Sequence, residues 1–527
     1  MADLTRREVV GGGLAGAGAL LLGGSPFLAS AARRDDRRRR LLRGGEFLHG
    51  VAAGVPAVDG ALLWTRLSGL ERKGAVLVEV ARDPEFRRVL VRQRAAASPI
   101  RDYAVKRAVR SKRLRPGEQY WYRFVTRDGS SPVGRFRTAL PPDSHEPVRI
   151  GFFSCQKWHQ GYFTAHRGLA REPDLDLVVA LGDYVYEEPM KDVLVPERQD
   201  TTGELGDGDV QSLADWRQKY RLYKSDPDLI AMHAEHPFAA IWDDHEAEDD
   251  YAAQNEGDPL RPRRVPFLER RRAGYLSFFE SHPMPRRRDD PFRIYDHLRL
   301  GQAQLFMLDT RQYRDALACE PVSPCPQGEA PGRSILGEAQ RSWLKTELTR
   351  STAPWKVIAN QVMMMGLDVP TGSPINADQW DGYAAERQEV MEHLLAKGVR
   401  DVTVLTGDIH TFFAGAVTTT GDATGIPAAT EFVGGSITST GIAEDLEKRG
   451  LPRNTEGGQE SGLRQMNPHI AYAELSAKGY GVMELRESEM LVTYRSPETV
   501  LQPQSEVRDL ARFRVARGST EVEVLSR

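Results

Sequence analysis

The chain has 527 residues, of which 40% are hydrophobic and 28% charged, and carries a net charge of -3 at pH 7. These values fit a globular protein of two or three domains with a large core. The near-neutral balance gives no bulk electrostatic case for nucleic-acid or membrane-surface binding, and the basic runs such as "RRDDRRRRLLR" and "PRRRDD" have acidic residues within or near them and read as solvated segments.

At the N-terminus, "TRREVV" places Arg6 and Arg7 before the glycine-rich apolar run "VVGGGLAGAGALLLGG", and "ASA" at 29–31 offers a small-residue cleavage site. This layout predicts a twin-arginine-type signal peptide over residues 1–31, with a membrane anchor as the alternative. The expected partner is the twin-arginine export machinery. The mature chain is then periplasmic, cell-wall associated or secreted, with no stable membrane span after cleavage. Twin-arginine export carries folded proteins, often with a cofactor already inserted, which already hints at a metal site. Outside the cytoplasm a disulfide persists, so Cys319 and Cys325 in the proline-bent "CEPVSPC" are expected to pair, leaving Cys155 as the lone thiol.

Residues 45–140 read as all-β. Short alternating runs ("ALLWTRL", "AVLVEVA", "YWYRFVT", "VGRFRTA") are separated by turn residues. "RLRPGEQYWYRF" places Tyr120 where fibronectin-type sandwiches carry their tyrosine corner. An Ig/fibronectin-like β-sandwich is therefore expected there, in a structural role. "ALPPDSHEPVR" marks a boundary, and a second, α/β layered domain is expected over 148–515. Its grammar alternates apolar runs with helices. "LGEAQRSWLKTEL" predicts a helix with Leu336, Ala339, Trp343 and Leu344 on one face, and "ERQEVMEHLLAKG" another with Gly398 as its C-cap. "GYGVMEL", "MLVTYRS" and the tail "STEVEVLSR" read as closing strands.

Chemistry collects at strand ends. "RIGFF" ends in "SCQ", "LVVAL" in "GDYVYE", "AAIW" in "DDHE", "QLFML" in "DTRQYR" and "VTVLT" in "GDIH". In α/β folds ligands bind at that C-terminal edge. Asp183, Asp243, Asp244, His245, Asp408 and His410 combine carboxylates with imidazoles, a set suited to more than one metal ion. Two metals a few ångströms apart can clamp a phosphate and activate water for in-line attack. One of Asp243 and Asp244 could instead cap a helix. Arg311 is the candidate phosphate clamp, since guanidinium takes two phosphate oxygens at once; a structural ion pair is its alternative. His159 reads as a loop residue. Asn360 and Gln361 would line the site or satisfy loop backbone.

The ordered set "SCQ", "GDYVYE", "WDDHE", "LDTRQYR", "GDIH" resembles the alkaline phosphatase D (PhoD-like) family of the calcineurin-like metallophosphoesterases, across nearly the whole mature chain. The resemblance implies an α-β-β-α layered metallophosphoesterase sandwich after the all-β domain, and exported phosphomonoesterase or phosphodiesterase activity. It also implies a site of Fe3+ with Ca2+. Cys155 would be an iron thiolate ligand, Asp183 a bridging carboxylate, and Asp408 and His410 ligands from the last motif; Asp243 joins the metal set. A tyrosine ligand giving a purple colour is implied as well. In "LADWRQKYRLY" Trp216 takes its expected place, so either the phenol would come from Tyr184, Tyr186, Tyr220 or Tyr223, or the metal would differ. Asp249 and Asp250 stand where a calcium-side asparagine is expected.

The expected function is thus a metal-dependent phosphoesterase in which bound hydroxide attacks phosphorus and His245 or His410 assists the leaving group. Asp244 and Arg311 complete the catalytic candidates. Two other readings use the same residues. One is a thiol hydrolase with Cys155 as nucleophile, the other a non-catalytic or altered-metal exported binding protein on the same fold. The substrate and the metal identity stay open.

Overall fold

The computed structural model describes residues 40–257, 264–319, 325–368, 376–448 and 458–527. The expected signal peptide over 1–31 lies outside the described residues. Among them, no helix is long and apolar enough to cross a membrane.

Two large sheets dominate. In the ten-stranded sheet, Val148–Phe153, Leu177–Ala180, Pro237–Ala240 and Val51–Ala57 run parallel and adjacent, and Tyr480–Leu485 joins Val148–Phe153 antiparallel. In the seven-stranded sheet, Ala303–Met307, Trp355–Asn360, Val402–Thr406 and Pro427–Gly434 are the parallel neighbours. These parallel strands are short, apolar and buried on both faces, as sheets covered on each side require.

The sheets pack face to face. One core holds Phe152, Val178 and Phe238 from the first sheet with Leu305, Leu405 and Phe432 from the second. The second sheet's other face, through Phe306, Ile358 and Val404, buries Leu344 and Leu348 of the helix Gly337–Arg350 and Val390 and Leu394 of the helix Ala384–Lys397. Gly398 ends the latter helix at φ 62° and donates to the Leu394 and Leu395 carbonyls, as its expected C-cap role demands. The face predicted for Gly337–Arg350 needs correction. Ala339 is exposed and Gln340 is buried in its stead, donating to the Asp309 and Leu336 carbonyls. A polar side chain with backbone partners displaced an apolar one from the buried stripe.

The strands expected over 45–140 are present as Gly60–Arg66, Gly74–Ala81, Gln119–Val125 and Gly134–Arg137. Val51–Ala57, Val89–Ala97 and Ala104–Arg110 join them. Sequences such as "VRQRAAA" lack the alternation that would have marked them. One antiparallel sheet runs Val89–Ala97, Gly74–Ala81, Gln119–Val125, Gly134–Arg137; the other three strands, in order Val51–Ala57, Gly60–Arg66, Ala104–Arg110, extend the ten-stranded sheet. The two layers share a core containing Leu63, Val78, Tyr120 and Phe136. The N-terminal strands are therefore tied to the larger sheet by parallel pairing, Ala53 opposite Pro237 and Gly54 opposite Phe238.

Tyr120 is fully buried and its hydroxyl accepts from the Arg115 amide at 2.8 Å. Tyr120→Phe strands that amide, and an unfilled buried donor costs about 1–3 kcal/mol. A lower urea midpoint with an unchanged m-value in equilibrium unfolding is the expected outcome.

Cys319 and Cys325 are disulfide-bonded, and Cys155 is the free, buried cysteine among the described residues.

Candidate metal centre

Each of the five predicted strand ends is where a strand gives way to a turn, and the turns converge between the two sheets. The turn backbone is unusual. Cys155, Asp183, Asp408 and His410 have φ of 58°, 53°, 62° and 56°. Non-glycine residues reach this left-handed region at a cost of order 1–3 kcal/mol each, a strain that clusters at functional sites.

Glycines let the turns close on one another. A Cβ on Gly182 would stand 2.5 Å from the Asp243 Cβ, and one on Gly407 2.6 Å from the Ser154 Cβ. The "GD" pairs thus combine a carboxylate with a glycine that admits the neighbouring turn. Glu246 fastens this contact from beneath, accepting from the amides of Asp183 at 3.2 Å, Tyr184 at 2.7 Å and Asp243 at 2.8 Å. The Cys155 carbonyl accepts from the Ser439 hydroxyl at 3.0 Å.

Metal-capable atoms fall into overlapping groups, each within 4.8 Å: Cys155, Asp183 and His410; Asp183, Asp244 and His245; Asp243, Asp244 and Asp408; Asp244, Asp249 and Asp250. Asp183 belongs to the first two, the placement a bridging carboxylate needs. All six predicted residues Asp183, Asp243, Asp244, His245, Asp408 and His410 thus come together with Cys155. The donor set suits cations: Asp183 Oδ1 and Asp243 Oδ2 are buried with no hydrogen-bond partner among the described residues, and buried oxygens left so are costly unless something binds them.

The imidazoles are oriented from behind. The His410 Nδ1 faces the Thr440 carbonyl, so Nε2 is the atom presented to Cys155 and Asp183. The His245 Nδ1 lies 2.8 Å from the Glu187 carboxylate, leaving Nε2 on the cluster side, 3.7 Å from Asp249 Oδ1. Such partners fix the tautomer and ring direction of ligating histidines.

Electrostatics follow burial. Burial, then Asp183 and Asp408, push the Cys155 thiol well above its usual range. Burial raises the Asp183 carboxyl well above its ordinary value as well, against the pull of His245. Burial lifts Asp243 to about 6 despite Arg311, and lowers His410 to about 3. For His245 burial works against the charge, yet Glu187, Asp183 and Asp244 hold the imidazolium well above the normal range.

Of the four candidate tyrosines, Tyr186 reaches the cluster. Its hydroxyl lies 3.1 Å from Asp183 Oδ2, 3.3 Å from His410 Nε2 and 2.7 Å from the Ser439 hydroxyl. Trp216 has no place in the cluster, which corrects the alignment that set it there. It sits on the helix Leu213–Tyr223, fully buried, with its ring facing Gly274 of the helix Phe267–Ser281. Tyr184 points to His233 at 2.7 Å, Tyr220 stacks on Tyr184, and the Tyr223 hydroxyl accepts from the Trp158 amide.

Arg311 has the ion-pair arrangement given as its alternative reading. Its guanidinium is fully buried and pairs with Asp243 and, through two nitrogens at 2.7 Å, with Asp378; Asp244 and Asp408 lie 3.6 and 3.7 Å away. It is a buried counter-ion surrounded by carboxylates. Asn360 and Gln361 satisfy backbone: Gln361 donates to the Trp242 and Leu308 carbonyls at 2.8 Å, and Asn360 to that of Val362. His159 is buried in the 3-10 turn Trp158–Gln160 and contacts the Lys191 carbonyl at 2.8 Å.

Glu187, Glu246, Asp378, Gln379 and Ser439 were not singled out from the sequence. The two glutamates lie inside "GDYVYE" and "DDHE", where any oxygen so near the ligands is a candidate support. Asp378 and Gln379 lie in "NADQWDG", a segment with no strand-end signal. Gln379 donates to Asp408. Residues 369–375, shortly before it, are outside the described residues.

The family model described as "PhoD-like phosphatase" matches residues 150–494, and that described as "PhoD-like phosphatase, N-terminal domain" matches residues 31–140. Alkaline phosphatase D of Bacillus subtilis (strain 168) is 34% identical over 505 residues, covering 91% of this chain and 82% of that protein. A solved structure of PhoD superposes with a TM-score of 0.79 at 31% identity, over 91% of this chain and 92% of its own. Purple acid phosphatase PPD1 from yellow lupin (Lupinus luteus) seeds shares the fold, with a TM-score of 0.54 at 12% identity over 89% of this chain and 74% of its own. The chain belongs to the PhoD-like phosphatase family and is a phosphoric ester hydrolase.

Proposed function

We propose that the chain is an exported, metal-dependent phosphoesterase that hydrolyses phosphate mono- or diesters at this centre with Fe3+ and Ca2+. The observation that carries the reading is the shared position of Asp183 between a thiolate-imidazole group and a carboxylate-imidazole group. Cys155, His410 and the Tyr186 phenol form the softer side, suited to iron; Asp243, Asp244, Asp408 and Asp249 form the all-oxygen side, suited to calcium. When bound, the metals supply a nucleophilic water or hydroxide at neutral pH and polarise the phosphoryl oxygens.

The chain's own residues orient that chemistry. Thr440 and Ser439 hold His410 and Tyr186 in ligand position. His245, braced by Glu187, presents Nε2 to the cluster and donates a proton to the leaving oxygen. Arg311 neutralises the carboxylates from behind, held there by Asp378. Residues 45–140 form an Ig/fibronectin-like sandwich, supported by three- and four-stranded layers over one core and by the Tyr120 hydroxyl bond. Residues 1–31 direct twin-arginine export, on the strength of the arginine pair and the apolar run alone.

Elemental analysis with a visible spectrum tests the metal assignment. Iron-loaded protein should show a broad visible band that Tyr186→Phe abolishes and Trp216→Phe preserves. Loss of the band in the Trp216 variant, with the Tyr186 variant unchanged, would reverse the assignment.

A further inference from the structure

At the sides where Val51–Ala57 and Asp296–Leu300 lie, the two large sheets part and a groove of about 680 Å3 opens between them. That volume lies within the ~300–1,000 Å3 of pockets that take small organic ligands. No metal-capable residue of the centre lines it.

The floor is the inter-sheet core itself. Phe279, Met284, Ile294 and Met307 belong to that core, and Leu298 packs on it from the edge strand. The walls are different in kind. Five arginines, Arg110, Arg287, Arg293, Arg299 and Arg350, stand against three carboxylates, Asp59, Asp296 and Glu347. The surplus is positive although the whole chain is net negative.

Each of the three carboxylates already has an arginine: Arg110 with Asp59 at 3.6 Å, Arg287 with Asp296 at 2.6 Å and Arg350 with Glu347 at 3.5 Å. Arg293 and Arg299 have no carboxylate partner among the described residues. Arg293 donates to the Tyr295 carbonyl and lies 3.9 Å from the Tyr295 ring centroid. Arg299 donates from one terminal nitrogen to the Pro142 carbonyl at 3.0 Å, while its Nε is buried without a hydrogen-bond partner.

We propose that this groove binds a single-chain anionic amphiphile, its alkyl chain on the inter-sheet floor and its anionic head at Arg299 and Arg293. The partly exposed apolar side chains that line the groove above this buried floor, Val55, Val58 and Leu298, gain from a chain that covers them. The uncompensated guanidiniums select the sign of the head, because a carboxylate or phosphate fills donors that a cation would repel. A free monomeric amphiphile fits the enclosed volume better than a flat bilayer surface. The inference is independent of the reading of the metal centre.

Titration of the metal-loaded protein with dodecanoate, below its micelle concentration, tests this by calorimetry. Saturable binding at one site per chain is expected, with dodecyltrimethylammonium at least tenfold weaker and acetate silent. Arg299→Gln should weaken dodecanoate about tenfold or more, the loss of a charge-assisted bond, without changing hydrolysis of a small phosphate ester. Leu298→Trp should do the same by filling the groove while leaving the charge. Equal binding of the cationic amphiphile, or full dodecanoate affinity in both variants, overturns the proposal. So does a groove that takes only an extended peptide along the Asp296–Leu300 edge.

Discussion

Asp183→Asn should lower the rate of phosphate release more than ~100-fold, beyond the 10–100-fold typical of losing a residue that merely supports a metal ligand. Among the described residues, Asp183 is the member of the Cys155 and His410 group that also belongs to a second group, with Asp244 and His245. Asparagine keeps the shape and the amide that donates to Glu246. It removes a carboxylate whose ionisation burial already disfavours. The chelated variant should therefore melt at or above the temperature of the chelated parent, even as activity disappears. Activity within tenfold of the parent would remove Asp183 from the bridging role. A collapse in melting temperature would make its role structural.

Arg311→Gln should act in the opposite way, on the metal-free protein first. The guanidinium is enclosed by Asp243, Asp244, Asp378 and Asp408. Removing one partner from a buried charge cluster costs about 3–5 kcal/mol, because the charges left behind have no compensation. Thermal unfolding after chelation should show a drop of several degrees. Adding metal should recover more of that loss in the variant than in the parent, since bound cations replace the missing charge. An unchanged melting temperature together with a raised KM for phosphate esters would restore the clamp role to Arg311.

How far the sequence could be read depends on whether a signal is local. The five strand-end clusters are local, since an apolar run followed by "GD", "DDH" or "DTR" can be read in one window, and all five meet in space. The role of Tyr186 was ambiguous for the opposite reason. Four tyrosines sit within 40 residues of one another, and which phenol reaches Asp183 depends on how the turn after Leu177–Ala180 folds. Trp216 looked relevant by position along the chain, but the helix packing of Leu213–Tyr223 buries it elsewhere. Arg311 could be read either as a phosphate clamp or as a structural ion pair, because its partner Asp378 is 67 residues away in sequence. The parallel pairing of Val51–Ala57 with Pro237–Ala240 is likewise non-local, and nothing in "VAAGVPA" indicates which sheet it will extend.

The most direct test of the central claim is phosphate release from one monoester and one diester, measured before chelation, after it, and after iron and calcium are restored. The account predicts that chelation abolishes release and that restoration returns it, with Cys155 protected from alkylation only while metal is bound. Undiminished hydrolysis by the chelated protein, lost on alkylating Cys155, would contradict it in favour of a thiol nucleophile.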